Sequence, residues 1–522
     1  MAGQQVVVVG SGVAGLTAAL AAAEAGATVT VLESTQTVGG TTALSGGVAW
    51  LPGNHLASDA GFDDDAESAR TYLRHLAVGD VDDVLVDTFV AEAPATARWV
   101  EDVTGHTWVA LGYPDYHCEL PGGREGGRSI EPHPFAPDPD VAALVRPALS
   151  WRLPMTQHEI IANTVDREVL ARRREDGVMT MGAAVVGSFL AAALRRGVQV
   201  RTGAAAASLV RRDGRVVGVA LDTGDQVEGA VVLASGGFER DPALARAFLR
   251  MPDPAPTGGP GATGRGLRMA MAAGAELGNM SEAWWCPAIE IPGDEIDGVP
   301  LHRLVLAERA RPGAVMVDGR GNRFANEAQN YNDVGRSLHD FDPGAFGFPR
   351  SPSWLVVDAG YRARYPIGPL LPREDDPPWL HRADAVEDLA TAMGVDPASL
   401  GATVEQFNAH AAEGDDPLFG RGRSAYDRFV GDRAAAQPNL RPLDQPPFYA
   451  VRVLAGLLGT KGGPRTDADG RVRHVEGGVI EGLYAAGNVA ASPLGMAYPG
   501  AGGTIGPALV AGRLAGTAAA SR

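Results

Sequence analysis

Two residue types are nearly missing from the 522-residue sequence, which contains two cysteines and a single lysine, Lys461. Cys118 and Cys286 lie far apart in the chain, so the sequence has neither a disulfide framework nor a CxxC metal or redox pair. Acidic residues outnumber basic ones, 63 to 45, and this excess gives a formal net charge of −18. This charge argues against nucleic acid or an anionic membrane surface as the main partner.

The sequence shows neither an export signal nor a clear transmembrane segment. Its first residues include no basic n-region. The apolar stretch over residues 6–23 approaches the length of a membrane span, but three glycines interrupt it in a pattern that has another explanation. With 45% apolar and 21% charged residues, we expect a packed, soluble, cytoplasmic protein, and peripheral membrane association stays open. We propose no metal site, because zinc-site spacing is missing around His106, His133, His158, His302 and His339.

The first fifty residues carry the strongest motif. Residues 6–9 predict a buried strand, residues 16–25 a helix and residues 28–32 a second strand. The glycines before the helix follow the spacing G-x-G-x-x-G, which permits a tight turn and close approach of the backbone to a pyrophosphate. The acid that follows the second strand would bind ribose hydroxyls. The unit therefore predicts a dinucleotide site formed by Gly10, Ser11, Gly12, Val13, Ala14, Gly15, Glu33 and Ser34.

A second loop rich in glycine and threonine follows at residues 39–47. A nicotinamide dehydrogenase has no need of a second cradle at this point, whereas FAD does, because it carries two nucleotide units and a long ribityl arm. We therefore expect FAD as the cofactor. The expected contacts in this loop are Gly39, Gly40, Thr41, Thr42, Ser45, Gly46 and Gly47.

The rest of the chain predicts an interrupted α/β fold. Residues 198–202 and 216–221 alternate like two strands of a small sheet, and residues 386–393 and 403–412 have helical patterns. The predicted fold is a Rossmann-like FAD-binding domain, residues 1–288 and 448–522, interrupted by an inserted α+β catalytic (cap) domain, residues 289–447. A buried strand at 231–238 and a final βα passage return the chain to the first domain and add the expected cofactor contacts Ala234, Ser235, Gly236, Gly487, Asn488, Gly503, Thr504 and Ile505.

Three segments place a tyrosine in a longer motif. Tyr116 ends Tyr-Pro-Asp-Tyr, Tyr331 lies in Asn-Glu-Ala-Gln-Asn-Tyr-Asn-Asp, and Tyr498 begins Tyr-Pro-Gly-Ala-Gly-Gly-Thr-Ile-Gly. Further motifs are Arg-x-Ala-Asn-Glu at residues 323–327 and Gly-Thr-Lys-Gly-Gly at residues 459–463. Together they resemble the fumarate-reductase-like FAD flavoproteins and, within them, the 3-ketosteroid Δ1-dehydrogenases, over nearly the whole chain.

The resemblance implies that the protein introduces a double bond between C1 and C2 of a 3-ketosteroid. The Tyr498 hydroxyl and the Gly502 amide would stabilise the enolate, Tyr331 would take the α proton, and Tyr116 would stabilise the resulting phenolate. FAD would take the hydride, and a quinone or a similar acceptor would reoxidise it. FAD should be noncovalent, because Gly40 stands where covalent members of the superfamily carry a histidine.

Other interpretations stay open at this point. A related flavoprotein could desaturate or ene-reduce another cyclic ketone, and a non-catalytic flavin-binding electron carrier is a third class. His117 competes with Tyr331 for the role of the base. Trp284 and Trp285 fit interdomain packing or an aromatic wall for a flat substrate. Lys461 fits either a solvated surface position or a charge that stabilises the flavin.

Overall fold

The computed structural model describes residues 4–149, 152–251 and 253–521. Two compact units share the chain. The first comprises Met1–Pro252, Gly258–Ala283 and Gly459–Arg522. The second comprises Asp253–Thr257 and Trp284–Leu458. The chain thus enters the second unit twice, briefly at Asp253–Thr257 and then for most of that unit at Trp284–Leu458, and it returns to the first unit each time.

A six-stranded sheet forms the centre of the first unit. The β-branched strand Gln5–Val9 is buried from Val6 onward and pairs in parallel with a strand on each side, as expected for a central strand of a parallel sheet. Both predicted strands of the N-terminal motif are present. In spatial order the strands are Arg471–Arg473, Val479–Ala485, Ala230–Leu233, Gln5–Val9, Thr28–Leu32 and Gln199–Arg201.

One predicted strand pairing is wrong. Residues 198–202 and 216–221 predict two strands of one small sheet, but Gln199–Arg201 pairs in parallel with Thr28–Leu32 at the edge of the central sheet. Arg215–Leu221 instead forms a separate antiparallel sheet with Ala206–Arg212 and Gln226–Glu228. Alternation of apolar residues indicates which face of a strand is buried but does not identify the neighbouring strand.

The helices of the first unit surround this sheet. The predicted helix at 16–25 begins earlier, at Val13, and ends at Glu24. A three-stranded sheet is formed by Ala49–Trp50, Ser129–Pro132 and Trp108–Ala110, and Leu277–Gly278 pairs with Gly463–Pro464. The helices are Val13–Glu24, Gly40–Leu44, His55–Asp59, Ala66–His75, Asp83–Thr104, Pro139–Leu144, Gln157–Ala162, Arg167–Glu175, Met181–Arg195, Pro242–Leu244, Arg265–Ala272 and Ile505–Ala520, with shorter π and 3₁₀ segments at Ala245–Leu249 and Gly487–Val489.

The C-terminal helix Ile505–Ala520 contacts its neighbours through backbone atoms. A Cβ added to Gly512 would lie 2.6 Å from the Ala14 carbonyl oxygen, and one added to Gly516 would lie 2.2 Å from that of Ala18. A Cβ on Gly506 would lie 2.0 Å from the Trp50 carbonyl oxygen. No side chain fits at these three positions, so glycine is what allows this helix to pack against the first helix and the strand Ala49–Trp50.

The second unit combines a mixed sheet with helices. Its path of strands is Val299–Leu304, Ala283–Ile296, Phe448–Thr460, Ser353–Asp358 and Ala314–Val317, and Ala255–Pro256 and His381–Ala383 also pair with Phe448–Thr460. The strand Ala283–Ile296 runs across the predicted domain boundary at 288/289, and the strand Phe448–Thr460 begins at the predicted boundary at 447/448. The helices are Tyr331–Ser337, Ala359–Arg362, Val386–Met393, Pro397–Glu413 and Ala425–Val430, with a 3₁₀ turn at Glu308–Ala310.

Helix starts in the second unit follow local capping chemistry. The predicted helix at 386–393 is present with these bounds. The predicted helix at 403–412 is part of a longer one that begins at Pro397. The side chain of Asp396 accepts a hydrogen bond from the Ser399 amide, and a proline occupies the first helical position, which are both signals of a helix N-terminus.

The Arg-x-Ala-Asn-Glu motif belongs to a buried ionic network of the second unit. The Arg323 guanidinium lies 2.7 Å from a carboxylate oxygen of Glu327 and 2.7 Å from one of Asp416. Arg421 lies 3.2 Å from Glu327. Burial by itself would raise the pKa of Glu327, but the two guanidinium groups lower it below its usual value. The motif therefore has a structural role within this unit, because breaking such a pair would leave an uncompensated buried charge.

The backbone contact of the C-terminal helix predicts an unusual cost for a small substitution. Gly516→Ala should destabilise the protein by about 1–3 kcal/mol or more, because its methyl group would overlap the Ala18 backbone. Gly401→Ala is the matched control, since it also lies within a helix but its Cβ would meet nothing nearer than 3.5 Å. The control should stabilise the protein by up to about 1 kcal/mol. Thermal unfolding compares the variants, and unfolding of Gly516→Ala at or above the parent temperature would contradict the proposed close contact.

Candidate active site

The first glycine loop has the geometry that a dinucleotide requires. Gly10 ends the first strand with a φ of +107°, and a Cβ there would lie 2.4 Å from the Ala234 carbonyl oxygen. A Cβ on Gly15 would lie 2.0 Å from the Gly10 carbonyl oxygen. Gly12 differs, because its nearest atom would be the Thr42 hydroxyl at 3.6 Å. The outer glycines thus serve the fold, whereas Gly12 leaves its backbone open to approach by a phosphate.

Glu33 lies at the end of the second strand and is buried. One carboxylate oxygen accepts hydrogen bonds from the Ser11 hydroxyl at 2.6 Å and the Ser11 amide at 3.2 Å. The other accepts from the Thr35 amide at 2.8 Å. The Ser11 hydroxyl also accepts from the Gly39 amide at 3.0 Å. Glu33 therefore joins the first glycine loop to the start of the second, in the position expected of a ribose-binding acid.

The second glycine loop continues into a short helix, Gly40–Leu44. The Thr42 hydroxyl accepts from the Val13 amide at 3.1 Å, which ties this loop to the first helix. The Thr41 hydroxyl accepts from the Gly259 amide at 2.9 Å. A Cβ on Gly40 would meet no atom within 4 Å, so packing does not require a glycine there. The two loops predicted from the sequence are thus joined side by side.

A buried acid that the sequence reasoning missed lies next to this loop. Glu239 follows the glycine turn of the strand Ala230–Leu233, and a Cβ on Gly258 would lie 3.5 Å from one Glu239 oxygen and 2.8 Å from the Thr41 hydroxyl. Among the described residues, Oε2 of Glu239 has no hydrogen-bond partner. Burial raises the pKa of Glu239 to about 7. The available signal was the acid directly after Gly-Gly-Phe.

These residues fit FAD. The open backbone at Gly12 and Gly40 allows close approach of a phosphate-bearing chain, and the acid on the second strand suits a ribose. The buried Oε2 of Glu239 is an acceptor that a hydroxyl or N–H group of the cofactor could satisfy. The expected contacts Ala234, Ser235 and Gly236 lie at the carboxyl end of the strand Ala230–Leu233, beside the same turn.

Two of the predicted catalytic tyrosines are in contact within the first unit. The rings of Tyr116 and Tyr498 stack with their centroids 5.1 Å apart and their planes 20° apart, and both are buried. The Tyr116 amide donates to the Pro499 carbonyl at 3.0 Å. Gly502 has a φ of +91°, and its carbonyl accepts from the Trp50 amide at 3.0 Å. We call residues 498–502 the tyrosine turn.

A buried ionic layer supports the tyrosine turn, and sequence reasoning missed it. The Arg128 guanidinium lies 2.7 Å from Asp115 and 2.8 Å from Asp64. Asp115 also accepts from the Trp50 indole at 2.8 Å. A Cβ on Gly500 would lie 2.7 Å from the Trp50 ring and 3.2 Å from Asp115, which places this layer directly against the turn. Burial raises the pKa of Asp115 to about 6, and Arg128 opposes that rise.

Lys461 is not a surface residue, so the interpretation as a solvated lysine is wrong. Its exposure is 0%. Its ammonium group donates to the Gly495 carbonyl at 3.1 Å and to the Ala497 carbonyl at 2.7 Å. Its amide donates to the Glu282 carbonyl at 2.9 Å. The only lysine of the sequence therefore holds the segment that leads into Tyr498.

Tyr331, the proposed base, lies in the second unit and is buried. It begins the helix Tyr331–Ser337, which Asn330 caps by accepting from the Asp333 amide at 3.1 Å. A Cβ on Gly335 would lie 2.3 Å from the Cys286 amide nitrogen. This helix therefore packs closely on the strand Ala283–Ile296, and that packing positions Tyr331 within its own unit.

The remaining candidates have local partners. Trp285 stacks on His339 with centroids 5.2 Å apart, and its amide donates to the Asn332 side chain at 3.2 Å. Trp285 is thus part of an aromatic cluster within the second unit. His117 is half-buried, and its Nδ1 lies 3.5 Å from a Glu119 oxygen. A contact of this kind is ordinary for a partly exposed histidine. His117 nevertheless directly follows Tyr116 in the chain.

In the described part of the chain, no group of three or more histidine, cysteine, aspartate or glutamate side chains could hold a metal ion. Over the same residues, none of the helices has both the length and the apolar character needed to cross a bilayer.

The chain is similar to several dehydrogenases over nearly its whole length. The chain is 40% identical over 528 residues to the 4-oxocyclohexanecarboxylate 2-dehydrogenase of Sinomonas cyclohexanicum, covering 98% of this chain and 92% of that protein. It is 37% identical to the 3-oxosteroid 1-dehydrogenase of Mycobacterium tuberculosis, covering 98% of this chain and 97% of that one. It also matches the crystal structure of 3-ketosteroid delta1-dehydrogenase from Sterolibacterium denitrificans in complex with 1,4-androstadiene-3,17-dione, with a TM-score of 0.91 and 33% identity over 100% of both chains.

These matches fix the cofactor and the class of protein. The expectation of FAD is confirmed, and so is an α/β flavoprotein fold. A family model described as FAD binding domain covers residues 5–505. The chain therefore belongs to the FAD binding domain family of flavoproteins and is an FAD-dependent oxidoreductase.

Proposed function

We propose that the protein introduces a C1–C2 double bond into the A ring of 3-ketosteroids. The observation that carries this proposal is the stacked pair Tyr116–Tyr498 on a glycine-rich turn within the FAD-binding unit. The 37% identity to a 3-oxosteroid 1-dehydrogenase and the 0.91 TM-score with a steroid-complexed enzyme support it. In this proposal the substrate is a small hydrophobic ketone, and a quinone or a similar acceptor reoxidises the cofactor.

A second candidate is desaturation of another cyclic ketone. The 40% identical relative is a 4-oxocyclohexanecarboxylate 2-dehydrogenase. Numbering the ring from that name places the new double bond next to the ketone, as C1–C2 does in a 3-ketosteroid. The chemistry proposed for the tyrosine turn serves both substrates, so the two candidates differ in the substrate and not in the reaction.

The proposed domain roles follow the order of the chain. The first unit, which holds the two glycine loops, is the Rossmann-like FAD-binding domain. The second unit comprises Asp253–Thr257 and Trp284–Leu458. We assign it as the inserted α+β catalytic domain because it carries Tyr331. We propose that FAD is bound noncovalently, since Gly40 offers no side chain for a covalent bond.

Removal of the α hydrogen as a proton leaves negative charge on the ketone oxygen. Donors aimed at that oxygen in a dry site lower the barrier, and loss of one such donor costs about 100–1000-fold in rate. We assign these donors as the Tyr498 hydroxyl and the Gly502 amide. The Gly502 amide shares its peptide group with the Ala501 carbonyl, which accepts from the Ser129 hydroxyl at 2.8 Å, and this bond defines the direction of the amide.

Removal of the proton requires a base, and we assign this role to Tyr331. A phenol has an ordinary pKa of about 10 and is a weak base at neutral pH. Tyr116 is the proposed donor that stabilises the phenolate form. Bound FAD supplies the acceptor for the hydride that leaves the β carbon.

Anaerobic addition of ketones to the oxidised protein tests the function directly. Androstenedione should bleach the yellow flavin absorbance, because transfer of the hydride reduces the cofactor. 4-Oxocyclohexanecarboxylate is the matched second ketone. Bleaching by that ketone alone would replace the steroid proposal with the second candidate. An unchanged spectrum with both would contradict both proposals and favour a non-catalytic flavin carrier.

Tyr498→Phe tests the enolate donor. We expect turnover to fall by about 100-fold or more, with FAD content unchanged, because the hydroxyl meets the substrate and not the cofactor. Tyr484→Phe is the control, since Tyr484 is equally buried in the same unit but lies on the central sheet. Normal turnover in Tyr498→Phe would show that the tyrosine turn has only a packing role.

Tyr331→Phe tests the base separately from hydride transfer. The variant should lose both flavin reduction and exchange of the substrate's α proton with deuterated solvent.

In the parent, the rate should rise with pH until the phenol pKa is passed, whereas a histidine base predicts a rise near pH of about 6 to 7. Tyr116→Phe should keep some exchange, with the profile shifted to higher pH. Exchange that survives in Tyr331→Phe and vanishes in His117→Ala would assign the base to His117.

A further inference from the structure

The hydroxyl group of Tyr72 joins the two segments that carry the stacked tyrosines. Tyr72 lies in the helix Ala66–His75 and has an exposure of 0%. Its hydroxyl donates to the Pro499 carbonyl at 2.7 Å and accepts from the His117 amide at 3.1 Å. Pro499 directly follows Tyr498, and His117 directly follows Tyr116. One oxygen atom is therefore hydrogen-bonded to a backbone group of the residue that follows each tyrosine.

The ring of Tyr72 is itself held in place. The Arg128 guanidinium carbon lies 5.6 Å from the centre of this ring and 5.6 Å from that of Trp50. The rings of Tyr72 and Trp50 have centroids 6.3 Å apart. Because Arg128 is ion-paired with Asp64 and Asp115, the cation that packs on the Tyr72 ring is fixed by charges on two further segments. The hydroxyl thus has a defined position rather than a choice of rotamers.

Tyr72 acts as a neutral phenol. Burial raises its pKa well above 10, and the negative charge of Asp115 raises it further. A neutral hydroxyl donates one hydrogen bond and accepts others, which is the pattern seen with Pro499 and His117. This state does not change across the pH range of an enzyme assay, so Tyr72 is not a candidate for the base.

The hydrogen bond from the Tyr72 hydroxyl to the Pro499 carbonyl positions the backbone as well as stabilising it. The same carbonyl accepts from the Tyr116 amide at 3.0 Å, so loss of the Tyr72 hydroxyl leaves it one donor. The hydrogen bond from the His117 amide to the Tyr72 hydroxyl would be lost in the same substitution. The local fold should therefore survive, while the placement of the two rings relative to each other becomes less defined.

We propose that Tyr72 is a positioning residue whose hydroxyl sets the relative placement of Tyr116 and Tyr498. The inference rests on the proposed function, in which Tyr498 donates to the enolate oxygen and Tyr116 stabilises the phenolate form of the base. Displacement of reacting groups by about 1 Å costs on the order of 100-fold in rate. A residue that touches neither substrate nor cofactor can therefore change kcat through this placement.

The test compares Tyr72→Phe with Tyr361→Phe. Tyr361 is also fully buried, and its hydroxyl donates to the Glu308 carbonyl at 2.9 Å in the second unit. Each substitution removes one buried hydroxyl and leaves the ring. We expect Tyr72→Phe to lose about 10- to 100-fold in kcat with KM, FAD content and the shape of the pH profile unchanged. Tyr361→Phe should lower the thermal unfolding temperature by about as much as Tyr72→Phe does, but its kcat should equal that of the parent.

Crystal structures of the parent and Tyr72→Phe measure the placement without relying on turnover. In the variant, the Tyr116–Tyr498 stack should depart from the parent's centroid distance, which is 5.1 Å here. An unchanged stack, or a kcat within about twofold of the parent, would overturn the proposal. So would a loss of kcat that accompanies loss of FAD or a larger loss of stability than in Tyr361→Phe. If no ketone reduces the flavin of the parent, the proposed function fails, and the ring stack alone decides whether Tyr72 positions the pair.

Discussion

Backbone contact through glycine connects the cofactor loops to the tyrosine turn. The helix Ile505–Ala520 touches the first helix at Gly512 and Gly516, and touches the strand Ala49–Trp50 at Gly506. The first helix begins in the dinucleotide loop, and the C-terminal helix begins just after the tyrosine turn. Because side chains do not separate these elements, their spacing has little freedom. The first glycine loop and the tyrosine turn therefore share one rigid support.

Buried donors hold the backbone on both sides of Tyr498. The carbonyl groups of Gly495 and Ala497 accept from Lys461, that of Pro499 accepts from Tyr72, and that of Ala501 accepts from the Ser129 hydroxyl at 2.8 Å. These contacts satisfy main-chain groups that burial would otherwise leave costly. They also fix the peptide that carries the proposed enolate donors before any substrate binds. Such preorganisation is what makes a hydrogen-bond donor effective in catalysis.

Local chemistry could be predicted from the sequence, but long-range partners could not. The strands around the dinucleotide loop follow from β-branched runs, glycine spacing and Glu33, all within about thirty residues. The strand Gln199–Arg201 was assigned to the wrong sheet, because its partner lies far away in the chain. For Lys461 the sequence leaves open a solvated position or a charge that stabilises the flavin, because the carbonyl groups that the side chain binds follow it by more than thirty residues. Tyr72 belongs to no motif, so only its hydrogen bonds identify it.

We expect the catalytic effect of Tyr498 to depend on the scaffold beneath it. A double-mutant cycle in kcat with Tyr72→Phe, Tyr498→Phe and the double variant measures this dependence. If Tyr72 acts through the placement of Tyr498, the double variant should be no slower than Tyr498→Phe alone, because the hydroxyl that needed positioning is already gone. Losses that multiply, so that the double variant is slower by the full Tyr72→Phe factor, would show that the two residues act independently and would contradict the account.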